Sequence, residues 1–111
     1  MKKKENYLEK IPLRASHVRW NADSDGIVTL EIDNKGFFNR MAQKFFKRPA
    51  VSYVHLDKMG SFVWPLLDGE KNIIELGKQV EEKFGEDAYP LYERLSKYFH
   101  IMESYGFIIY K

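Results

Sequence analysis

From Val18 to Ile32 apolar and polar positions alternate, and from Asp57 onward the repeat lengthens to that of a helix. Val18 and Trp20 alternate with His17, Arg19 and Asn21, which predicts a strand over 17–21 with one apolar face. Asp23-Ser24-Asp25-Gly26 follows as a turn, because Asp and Ser bond their own backbone and Gly supplies positive φ. Val28, Leu30 and Ile32 then alternate with Thr29, Glu31 and Asp33, so a second strand over 27–32 closes a hairpin. A third strand is predicted over 50–56, with Val51, Tyr53 and His55 on one face and Ser52, Val54 and Leu56 on the other.

The remainder reads as helices. Asp57 is placed to cap a helix running to Leu67, short or kinked because Pro65 lies inside it. Asn72-Ile73-Ile74-Glu75 has the form of a capping box. Ile73, Leu76, Val80 and Phe84 mark the apolar face of that second helix, and Gly85 ends it. The third helix is predicted from Asp87 to Tyr105, with Asp87 as its cap and Pro90 in its first turn. Leu91, Leu95, Tyr98, Met102 and Tyr105 line it, Gly106 stops it, and 107–110 is a short strand or extended tail. Residues 1–14 read as an extended arm, and 36–48 as an amphipathic basic insertion rich in Phe.

The expected fold class is therefore α+β: one domain over 1–111, with a sheet region at 17–56 and helices at 57–106. An N-terminal three-stranded antiparallel sheet packed on a C-terminal three-helix bundle is winged-helix-like in content, although the strands come first. A chain of 111 residues with 44% apolar and 31% charged residues fits one soluble domain with a modest core. Cysteine is absent, which excludes disulfides, thiolate metal sites and cysteine nucleophiles and fits a cytoplasmic location. Charge is uneven: residues 1–56 carry a balance of +5 and residues 57–111 one of −3.

Catalytic chemistry is thinly represented. There is no glycine-rich phosphate loop and no paired-histidine zinc motif. His17, His55 and His100 fall in separate elements, so no metal site, catalytic residue or cofactor is expected. Asp57, Asp68 and Asp87 each stand at a helix start or a Gly turn, where carboxylates cap. Two features remain for binding. The basic 35–48 segment would suit an acidic peptide, a nucleic-acid backbone or anionic lipid. Strand 50–56, if it lies at a sheet edge, would accept an extended peptide as a further strand.

The stretch Leu56-Asp57-Lys58-Met59-Gly60-Ser61-Phe62-Val63-Trp64-Pro65-Leu66-Leu67-Asp68-Gly69 resembles the hallmark of the PqqD-like family (pyrroloquinoline quinone synthesis protein D). Ile73-Ile74-Glu75-Leu76 with Phe84-Gly85 is similar to that family's second helix, and Leu95, Met102 and Gly106-Phe107 to its third. The resemblance runs over roughly 15–110, with the 36–48 insertion as a departure. It implies a non-catalytic peptide chaperone, a RiPP recognition element. Such a module binds the leader of a ribosomally made precursor peptide and presents it to a modifying enzyme, often a radical S-adenosylmethionine enzyme. Carried onto this chain, the peptide would join Val51, Ser52, Tyr53, Val54 and His55 and lie against Leu91, Arg94, Leu95 and Tyr98 of the third helix. Arg94 or Lys97 would hold an acidic leader residue. The alternatives are a small winged-helix nucleic-acid binder using 35–48, and a structural subunit of a larger complex.

Overall fold

The computed structural model describes residues 7–33 and 51–111. The tip of the arm and the basic insertion expected at 36–48 lie outside the described residues. Five strands and three helices are described: β1 Pro12–Arg14, β2 Arg19–Ala22, β3 Val28–Asp33, β4 Val51–His55, α1 Lys58–Val63, α2 Ile73–Phe84, α3 Leu91–Ser104 and β5 Ile108–Tyr110. The fold is α+β, as the alternation of patterns requires.

β2, β3 and β4 form an antiparallel sheet in that order. Trp20 faces Leu30, and Leu30 faces Val54, across the two ladders. The hairpin turn forms where expected: Asp23 Oδ1 accepts the backbone N–H groups of Asp25 and Ile27, and Gly26 takes φ 83°. Val28 and Leu30 on the central strand are 1% and 0% exposed. They share one core with Val63, Trp64 and Leu67. Burying side chains of this size contributes about 1.5–3 kcal/mol each.

α1 shows why Pro65 matters. Asp57 caps it, its Oδ1 accepting from Gly60 N at 2.7 Å. The helix gives way after Val63 to a 3-10 turn over Trp64–Leu66, which contains the proline. Ser61 joins this helix to the sheet. Its buried Oγ accepts from Val28 N at 2.8 Å and donates to Leu56 O at 3.3 Å. α2 begins with the complete capping box, Asn72 and Glu75 each accepting the other's backbone N–H.

Two expectations are corrected. The third helix does not begin at Asp87. Gly85–Ala88 is a 3-10 turn, and α3 starts at Leu91 after Pro90, with no side-chain cap. Proline disfavours helical backbone in the residue before it, and Tyr89 is accordingly extended at φ −85°, ψ 146°. Pro90 thus stands before the first turn and not within it. The arm, in turn, is more than an extended lead-in. Its β1 pairs antiparallel with β5 as a second, two-stranded sheet, Leu13 facing Ile109. Arg14 extends this link: its guanidinium donates to the carbonyls of Trp64 at 3.2 Å and Pro65 at 2.9 Å.

Candidate functional site: an open strand edge beside an apolar groove

β4 is the outermost strand of its sheet, and among the described residues no strand pairs with its outer side. The ladder fixes which backbone groups point outward. Leu56 N donates to Val28 O at 2.9 Å, so this facing pair is hydrogen-bonded. Facing pairs alternate in an antiparallel ladder. Val54 and Ser52 therefore bond inward to β3, while the N–H and C=O groups of Val51, Tyr53 and His55 point toward the open edge.

Beside that edge lies a groove of about 520 Å³. Val54, His55, Leu56 and Asp57 form its strand side. Tyr98, Ile101, Met102 and Tyr105 form its helix side, with Phe107 beyond the helix end. The spacing of the α3 residues puts them on one helical face. Ile101 and Tyr105 remain 46% and 56% exposed, an unusual state for large apolar side chains sharing one hollow. The Tyr105 ring stacks on Phe107 with centroids 5.5 Å apart.

Tyr98 anchors the helix wall to α1. Its hydroxyl donates to Gly60 O at 3.1 Å. A Cβ on Gly60 would stand 3.0 Å from the Tyr98 ring and 3.0 Å from Asp57 Oδ1, so glycine permits the close approach. Burial pushes the Tyr98 phenol well above its ordinary range, and the Asp57 charge adds to the shift. On the strand side, His55 Nδ1 shares a hydrogen bond of 2.8 Å with Thr29 Oγ1 across the sheet. Such a site offers backbone donors and acceptors, an apolar wall and one carboxylate. Among the described residues no group of three His, Asp or Glu side chains is placed to hold a metal ion.

The structure brings together only part of the expected set. Val54, His55 and Tyr98 line the groove, and Val51, Ser52 and Tyr53 continue the same strand. Tyr53 is 62% exposed at the edge. Leu91 and Leu95 do not line the groove; they belong to the core at 7% and 0% exposure. Arg94 does not line the groove; it donates to the Asp87 carbonyl and lines a smaller hollow with Asp57, Lys58 and Phe84. Lys97 lies in another hollow with Tyr7 and His100. Ile101, Met102, Tyr105 and Phe107 line the groove outside the expected set. The signal was present, since Tyr98, Ile101 and Tyr105 repeat at helical spacing in the second half of α3.

Among the described residues, then, the chain presents an unpaired strand edge flanked by an apolar helix face, the geometry that β-strand addition uses. A family model described as coenzyme PQQ synthesis protein D (PqqD) matches residues 47–108, more than half of the chain, and the chain belongs to that family. The match takes in β4 and all three helices but not the β2–β3 hairpin. No curated protein and no solved structure matches the chain.

Proposed function

We propose that the protein is a non-catalytic peptide chaperone, a RiPP recognition element of winged-helix-like form. It binds the leader of a ribosomally made precursor peptide in the cytoplasm and presents it to a modifying enzyme, such as a radical S-adenosylmethionine enzyme. The observation that supports this is the outward-facing backbone of Val51, Tyr53 and His55 beside the groove of Tyr98, Ile101 and Tyr105. Backbone pairing supplies affinity with little regard to sequence, and the groove reads alternate side chains. Family membership supports the same reading.

The ladder makes the test sharper than the sequence does. Tyr53→Pro removes an outward N–H and spares every bond to β3. Val54→Pro removes an inward bond and serves as the structural control. Tyr53→Ala keeps the N–H. With labelled leader peptide from a neighbouring reading frame, Tyr53→Pro is expected to fold normally and lose binding on the order of tenfold or more, while Tyr53→Ala stays within about threefold. A folded Tyr53→Pro that binds like the parent would overturn strand addition. Failure of the parent to bind any leader, with steeply salt-dependent binding to duplex DNA, would replace the reading with a nucleic-acid one.

A further inference from the structure

A second hollow shares no lining residue with the groove. It is a cleft of about 710 Å³ between the hairpin turn and the first two helices. Asp25, Gly26 and Ile27 stand on one side, and Lys58, Phe62, Lys83 and Phe84 on the other. The two phenyl rings meet edge to face, centroids 5.7 Å apart at 87°. Lys83 Nζ stands 6.0 Å from the Phe62 ring centroid. Among the described residues, neither Lys58 nor Lys83 forms an ion pair. The cleft is therefore lined by two lysines that form no ion pair among the described residues, by a single carboxylate, Asp25, and by two aromatic rings. The occupant that complements this cleft has an aromatic or large apolar body and a carboxylate beside it.

The position of the cleft indicates where such a group comes from. A smaller hollow of about 310 Å³ lies around the start of α1. It shares Asp57 with the groove, and Lys58 and Phe84 with the cleft. The three hollows thus adjoin in series, each sharing wall residues with the next, from the end of β4 to the hairpin turn. Resting on the strand-addition reading, we infer that the peptide lying along β4 continues past Asp57 and seats an aromatic–acidic pair of residues in this cleft. The contact lengthens the footprint beyond the strand and adds selectivity that backbone pairing lacks. Lys58 and Lys83 hold the carboxylate, and Phe62 and Phe84 take the ring.

Amide NMR on the full chain tests this with synthetic probes. Acetyl-Phe-Asp-amide is expected to shift the amides of Gly26, Ile27, Lys83 and Phe84 saturably, and acetyl-Phe-Lys-amide to bind on the order of tenfold more weakly. Lys58→Glu with Lys83→Glu should abolish the response. A strand-forming pentapeptide, Thr-Val-Thr-Val-Thr, reports on β4 alone. Joined to Phe-Asp through a glycine spacer, in one order of attachment, it should bind on the order of tenfold more tightly than either piece. Tyr53→Pro should erase that gain and leave the dipeptide response intact. Equal binding of the Phe-Asp and Phe-Lys probes, or shifts outside the cleft, overturns the site. No gain in either order overturns the continuation past Asp57 even where the pentapeptide binds β4. A pentapeptide that misses β4, with the dipeptide seated in the cleft, overturns the strand-addition reading instead.

Discussion

Trp64 is fully buried, and its ring meets Trp20 edge-on with centroids 6.5 Å apart at 82°. Its indole Nε1 makes no hydrogen bond among the described residues, so burial carries the cost of an unpaired donor. Volume therefore dominates over polarity at this position. Trp64→Ala is expected to destabilise by about 3–5 kcal/mol, whereas Trp64→Phe, which removes the unpaired donor, costs clearly less. Urea unfolding of the two variants checks this, and equal losses would contradict it. Tyr98 instead is an ionisable group governed by its burial. Its phenol is raised from 10.0 by burial and by Asp57. A group raised in the folded state contributes stability below its unfolded value and loses it as pH climbs beyond that value. Unfolding midpoints should therefore fall between roughly pH 8 and roughly pH 11. The fall should be smaller in Tyr98→Phe, though not absent, because burial also raises the Tyr110 phenol. An unchanged pH dependence in that variant would count against the buried assignment.

At the scale of elements, the legible parts of the sequence are those set by neighbours in the chain. The capping box at Asn72 and Glu75, the Asp57 cap, the hairpin turn and the interruption at Pro65 all involve partners within a few residues. Local physics decides them, and they appear as expected. Asp87 has the chemistry of a helix cap, because carboxylates prefer that position, but the restriction that Pro90 places on Tyr89 puts the helix start at Leu91. The pairing of β1 with β5 joins opposite ends of the chain, and nothing in either short segment names the other. The groove fell between these cases. Helical spacing identified an apolar stripe on α3, yet only packing against the rest of the core divides it. Leu91 and Leu95 go inside, while Tyr105 stays on the surface beside Ile101, which lies outside that stripe. Sequence periodicity marks a face, and tertiary contact decides which half of that face remains available.

For the molecule as a whole, the two-stranded sheet ties the arm to the end of α3 and so to the groove. Ala15 N donates to Phe107 O at 2.9 Å, and Lys111 N to Ile11 O at 2.8 Å. Lys10 O accepts from Ile73 N at the start of α2, and Arg14 N donates to Leu67 O, so the same arm holds three regions. Phe107 lines the groove, and its N–H bonds Met102 O at 2.9 Å, another groove residue. Loss of the arm removes the partner of β5 without altering any groove side chain. Deleting residues 1–15 is therefore expected to expose the amides of Ile109 and Lys111 to rapid hydrogen exchange and to raise exchange at Phe107. Leu30 and Leu56, held by the three-stranded sheet, should stay protected. Leader binding should weaken several-fold in the same variant, because the wall formed by Met102, Tyr105 and Phe107 loses its backing. If exchange at 107–111 matches that of the full chain, β1 contributes no order to β5. If it rises and binding is unchanged, the groove does not depend on the second sheet.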